Sequence, residues 1–138
     1  MKITEILEKA NDQHLLKDRV NVLKENDSKM LRYIMQASFD DNVQFLLPDG
    51  EPMFTPKKTP TTNLEGLEAD FPKLLKYGPW AKELRVRVER LFISMMENLP
   101  KDESALLVRI KDKKLGAFYK KLNKEVATEY LKDTVTIK

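Results

Sequence analysis

Three prolines constrain this chain more than any other feature. Pro52, Pro56 and Pro60 recur every fourth residue through EPMFTPKKTPTT. A proline lacks the amide hydrogen and collides with the carbonyl four residues before it, so this spacing forbids a helix and favours extended, polyproline-like backbone. Residues 48–62 therefore read as an arm, with Met53 and Phe54 as its only large apolar anchors. Just before it, Val43, Phe45, Leu46 and Leu47 form an apolar knot closed by Pro48-Asp49-Gly50. That turn has a mechanism, since proline sets φ and glycine permits positive φ. The knot should be buried. The arm should lie on its own domain, because connections normally run over the domain they join. In the alternative, Met53 and Phe54 would contact a partner.

On both sides of the arm the apolar residues repeat at helical spacing. Ile3, Ile6, Leu7 and Ala10 predict a first helix capped by Thr4, and Leu16, Val20 and Leu23 a second capped by Asp12, with Leu15 and Val22 flanking. Met30, Leu31, Ile34 and Met35 predict a third, starting from Asp27 or Ser28. After the arm, Thr62 and Glu65 have capping-box spacing before Leu64, Leu67, Phe71, Leu74 and Leu75, although Gly66 and Pro72 weaken that helix. Pro72 is expected to start a second segment capped by Asp70, ended by Tyr77-Gly78-Pro79. The longest helix should run from about Trp80 to Asn98. Its stripe of Leu84, Val88, Leu91, Phe92, Met95, Met96 and Leu99 is expected to be the central core element, with the methionine pair filling core. Pro100 breaks it, and Asp102 and Glu103 supply the negative first turn of a helix carrying Ala105, Leu106, Leu107 and Ile110. Leu115-Gly116 reads as its stop, Asn123 as the cap of a last helix, and the terminal TVTIK as short and β-prone. The expected fold is all-α: one helical domain over residues 1–138, with six to seven short-to-medium helices and the proline-rich arm.

Chemistry is thinly supplied. With no cysteine there are no disulfides, thiolate metal sites or cysteine nucleophiles, and His14 is the only imidazole. His14 is expected on a helix surface, and Asp40-Asp41 as a cap or turn. Gly50, Gly66, Gly78 and Gly116 lie too far apart to build a phosphate loop, and no GxSxG elbow occurs. No apolar run is long enough to cross a bilayer, and the start MKITEILEK lacks a signal-peptide core. These absences lead to the expectation of no catalytic residues, cofactor or metal, and no membrane partner.

Charge is more informative. The net +3 splits into 9 Lys/Arg against 13 Asp/Glu over residues 1–70, and 16 against 9 over residues 71–138. The excess peaks at Arg109, Lys111, Lys113, Lys114, Lys120, Lys121 and Lys124, opposed between 109 and 124 only by Asp112. Such a cluster can hold phosphates or steer the chain to an acidic protein surface, and it can equally be a solvated helix face. Phe118 and Tyr119 interleave with the lysines, a combination able to stack a base; packing between the last two helices is the plainer expectation.

Two stretches, DSKMLRYIMQASFDDNVQFLLPDGEPMFTP (27–56) and FISMMENLPKDESALLVRIKDKKL (92–115), resemble a family of small uncharacterised proteins from T-even-type contractile-tailed bacteriophages, cyanophages among them. The matching positions include Phe39, Asp40, Leu46 to Pro48, Gly50, Pro52, Phe54 to Pro56, Pro100, Asp102, Leu106, Leu107 and Lys111 to Leu115. Residues 57–80 depart from that pattern. The resemblance implies a phage-encoded protein acting in the host bacterial cytoplasm and supplies no activity. The resulting expectation is a non-enzymatic accessory protein that binds host or phage transcription or replication machinery, RNA polymerase first among such targets. Direct nucleic-acid binding through residues 109–124 is one alternative, and a minor virion structural or assembly role is another.

Overall fold

The computed structural model describes residues 2–48, 50–75 and 85–132. Over these residues it is all-helical: α1 (Ile3–Asn11), α2 (Leu16–Glu25), α3 (Lys29–Phe39), α4 (Arg85–Asn98), α5 (Lys101–Lys111), α6 (Leu115–Phe118) and α7 (Lys124–Leu131), with 3-10 turns at Leu64–Leu67 and Phe71–Leu74. The one β-type pairing among them is an isolated antiparallel bridge between Phe45 and Leu75. The expectations for Asp49, Tyr77-Gly78-Pro79, Trp80, Leu84 and TVTIK lie outside the described residues.

The apolar periods go where they point. Ile3, Ile6, Leu7 and Ala10 of α1 are buried, as are Met30, Leu31, Ile34 and Met35 of α3 and Val126, Ala127 and Tyr130 of α7. α1 packs on α2 and α5, α7 closes over α2 and α3, and α4 lies against α5 and the second 3-10 turn. Val88, Phe92, Met95, Met96 and Leu99 are buried, so the methionine pair does fill core, while Leu91 is only half-buried at its edge. The element at the centre is α5 rather than α4: it packs against α1, α3, α4 and α6.

Several helix boundaries differ from expectation, each for a local reason. Ser28 and Asn123 cap α3 and α7 by accepting from the amides of Leu31 and Val126 at 3.1 and 3.0 Å. Thr4, by contrast, lies inside α1, whose cap position is Lys2; the Glu5 carboxylate accepts the Lys2 amide at 3.0 Å. Asp12 ends α1 instead of starting α2, which begins after Leu15 without a side-chain cap. The Arg19 guanidinium holds that turn together, donating to the carbonyls of Gln13 and His14 at 2.9 and 2.7 Å. His14 is therefore exposed in a turn, not on a helix.

The segment after the arm forms 3-10 turns, not α-helix. Asn63, rather than Thr62, supplies the cap, accepting from Gly66 at 2.8 Å. Asp70 pairs with Lys73 at 2.8 Å instead of capping. Pro72 forbids one continuous helix, yet Leu64, Leu67, Phe71, Leu74 and Leu75 are all buried, because 3-10 turns also bring residues three apart onto one side. Phe71 stacks on Tyr33 at 6.0 Å and meets Phe45 edge-on at 5.7 Å. Phe45, Leu46 and Leu47 are half-buried rather than enclosed, with the Leu46 amide on the Leu74 carbonyl at 2.9 Å.

Leu115-Gly116 does not stop α5; it opens α6. The stop is Lys113, at φ +60°, with the Lys113 and Lys114 amides returning to the carbonyls of Ile110 and Arg109 at 3.2 and 2.8 Å. This double return is the Schellman arrangement, which normally takes glycine at the left-handed position. Gly116 serves close packing instead: a Cβ there would meet the Phe39 ring at 3.2 Å and the Leu122 carbonyl at 3.3 Å.

The arm lies along its own fold, as expected. Pro100 follows α4, so the last carbonyls of that helix have no partner within it. The arm supplies donors: the Lys57 amide to Glu97 at 3.1 Å, and those of Thr61 and Thr62 to Asn98 at 3.0 and 3.2 Å. Phe54 packs against the core while Met53 is 97% exposed. Gly50, at φ +93°, turns the chain into the arm.

Phe92→Ala should cost about 3–5 kcal/mol in chemical denaturation, and half-buried Leu91→Ala about 1 kcal/mol. Equal costs would mean that the α4 stripe is not oriented as described.

Candidate functional site

The seven basic candidates divide into two groups. Lys111 points inward, its side chain 2% exposed, donating to the Pro48 carbonyl at 2.7 Å and to the carboxylate of Asp112, itself 7% exposed. Asp112 also accepts the Gly50 amide at 3.1 and 3.2 Å. Lys113 folds back over the end of α3, donating to the carbonyls of Ala37 and, at 3.0 Å, Asp40. Burial pushes its amine below the usual lysine range, while Asp40 and Asp41 oppose the shift. Buried Lys111 is thus not part of a free surface, whereas Lys113 is exposed as a residue with its ammonium engaged by the Ala37 and Asp40 carbonyls.

The remaining five lie outward to different degrees. Lys124 faces Asp41 at 3.4 Å, with both side chains largely exposed. Lys114 and Lys120 are exposed and have no ion pair among the described residues; Lys121 is half-exposed, its amide donating to Asn11 at 2.9 Å. Arg109 covers the face of Phe118 at 3.7 Å from the ring centroid. The two aromatics part company. Tyr119 is buried as expected, its hydroxyl pushed up by burial and by Glu8, but Phe118 remains 51% exposed.

Beside this segment α1 and α5 leave an open groove of about 1100 Å³, lined also by Phe118, Tyr119, Lys2 and Asp102. Lys2 meets Asp102 across it at 3.1 Å, which raises the lysine, while Asp102, pushed up by partial burial, is held below its ordinary range by that ammonium. Glu5, Glu8 and Asp12 line the α1 side, and Lys101 and Arg109 the α5 side.

Sequence reasoning missed Glu103. Read only as a first-turn acid, it is 1% exposed; one oxygen accepts the Leu64 amide at 3.2 Å and the other has no partner among the described residues. Burial pushes its carboxyl up, partly offset by the Leu64 amide. The signal was in the spacing: Glu103 stands at i to Leu106, Leu107 and Ile110 at i+3, i+4 and i+7, and Lys111 continues the stripe four residues after Leu107. A second inward cluster locks α7 down. The Tyr130 hydroxyl donates to Asp27, whose carboxylate also takes Arg32 at 2.8 and 3.0 Å. Arg32 holds Asp27 low, and burial pushes Tyr130 above its usual range. Asp40 makes the expected turn, accepting from Asn42 at 2.9 Å. Among the described residues no group of three or more His, Cys, Asp or Glu side chains is placed to hold a metal ion, and no helix is long and apolar enough to cross a membrane.

Two predictions separate scaffold charges from surface charges. Lys111→Met strands a buried carboxylate and should cost about 3–5 kcal/mol, whereas Lys114→Gln, Lys120→Gln and Lys121→Gln should each stay within about 0.5 kcal/mol by thermal and urea melts. A raised carboxyl binds its proton more tightly folded than unfolded, so the Glu103 contribution is fully present below its ordinary value of 4.5 and is lost as pH rises through the raised value. Wild type should therefore lose ground to Glu103→Gln between pH 4 and pH 7 in paired urea titrations, by about 1.4 kcal/mol for each tenfold by which folding tightens the proton. A difference that does not change with pH would show that Glu103 is not buried as a charge.

A family model described as "Family of unknown function (DUF6433)" matches residues 6–117. No curated protein and no solved structure matches the chain.

Proposed function

The chain belongs to DUF6433, a family of unknown function, and from its surface we propose that it is a non-enzymatic accessory protein acting by contact with a macromolecule. The observation that carries this reading is the set of exposed Lys114 and Lys120 and half-exposed Lys121, without ion pairs among the described residues, beside half-exposed Phe118. Glu103, Lys113, Asp27 and Tyr130, whose proton affinities are displaced, are all bonded to other parts of the fold. That use fits a scaffold presenting a surface better than a reaction centre. The resemblance to T-even-type phage proteins puts the chain in the host bacterial cytoplasm in this reading. It also suggests transcription or replication machinery as the partner, with RNA polymerase first.

Direct nucleic-acid binding is the second reading, favoured by an exposed aromatic among lysines. Glu5, Glu8 and Asp12 beside Phe118 count against it, since they repel phosphates. The test is surface plasmon resonance with the host RNA polymerase and, separately, a short DNA duplex. The expected result is polymerase binding that survives moderate salt and weakens at least about tenfold when Lys114, Lys120 and Lys121 become glutamine, a loss of about 1.4 kcal/mol. Polymerase binding that fails, with duplex affinity falling steeply in salt, would overturn the first reading in favour of the second.

A further inference from the structure

Apart from the Lys2–Asp102 ion pair that spans it, the α1/α5 groove has walls of opposite charge. On α1, Glu8 and Asp12 are exposed and lack ion pairs among the described residues. On α5, Lys101 and Arg109 stand eight residues apart on one helix face, with Ala105 between them. Phe118 also lines the groove, half-exposed beneath the Arg109 guanidinium.

A surface divided in this way into an acidic and a basic half is complementary to itself. A two-fold axis running parallel to the groove, in the plane of contact, exchanges the two sides of its centre line, laying the acidic wall of one copy over the basic wall of the other. Both pairings are then attractive, and the two exposed Phe118 rings supply apolar area that leaves water. A uniformly charged partner, a nucleic acid included, would meet one wall with like charge, which costs affinity. We propose that this groove is the interface of a symmetric dimer of the chain, with Glu8 and Asp12 of each copy facing Lys101 and Arg109 of the other. Lys114, Lys120 and Lys121 do not line the groove, so dimerisation would bring two lysine surfaces into one assembly. The proposal stands apart from the choice of partner above, because its test contains this chain alone.

Sedimentation equilibrium over roughly 1 µM to 1 mM, the range in which small transient interfaces dissociate, reads it directly. The wild-type chain should dimerise, and less so when salt rises from about 0.05 M to about 0.5 M, which shortens the screening length about threefold. The double variant Glu8→Lys/Asp12→Lys has two basic walls, and Lys101→Glu/Arg109→Glu has two acidic ones. Each should be monomeric alone, and an equimolar mixture should re-form a dimer. Phe118→Ala, which leaves every charge in place, should weaken self-association at least about fivefold; it carries the test if a charge variant fails to fold by circular dichroism. A wild-type chain that stays monomeric at low salt overturns the proposal. So do charge variants that dimerise as wild type does, or a mixture of folded variants that stays monomeric.

Discussion

An extended segment rich in proline cannot satisfy its own backbone, and the rest of this fold is arranged around that deficit. The described residues 48 and 50–62 have no ladder and no helix to bond within, so their polar groups need partners elsewhere. α5 supplies both ends. At its C-terminal end buried Lys111 and Asp112 take the Pro48 carbonyl and the Gly50 amide, and at its N-terminal end buried Glu103 takes the Leu64 amide. Between these points the carbonyls of Glu97 and Asn98, orphaned by Pro100, receive Lys57, Thr61 and Thr62. The placement also agrees with the helix dipole, which favours a carboxylate at the start of α5 and an ammonium at its end. Two needs, those of a frayed helix end and of an unpaired strand-like arm, are met by one contact.

The helical class and most of the core were legible because period-3.6 patterns survive whatever the caps do. Ile3, Ile6, Leu7 and Ala10 are buried although their helix starts two residues earlier than a Thr4 cap would allow. Boundaries were less legible because side chains far along the chain decide them. Arg19 closes the α1–α2 turn, and a lysine stem makes a left-handed position tolerable where glycine was sought. The segment 62–75 misled for another reason: residues three apart share a side in both helix types, so buried leucines alone do not distinguish an α-helix from two 3-10 turns.

The charge count was the least reliable guide to the surface. Lys111 and Lys113 were part of the basic excess, yet each ammonium is committed to backbone carbonyls, and Lys111 also neutralises a buried aspartate. The stripe through 103, 106, 107, 110 and 111 carried that information, because a charged residue in register with leucines is placed by the helix before its chemistry is consulted. Long aliphatic stems make such placement workable for lysine, and a backbone amide does the same for Glu103.

The ties between the arm and its supports join residues about 40 to 60 positions apart in sequence, a distance at which loop closure precedes any reward. The arm is expected to dock after neighbouring α4 and α5 have formed and met, with its contacts absent from the folding transition state. Interactions of that kind leave the refolding rate untouched and act on the rate of unfolding alone. On that order the proline arm would act as a latch on the lifetime of the native state, and its loosening would shorten that lifetime without making the chain any slower to fold.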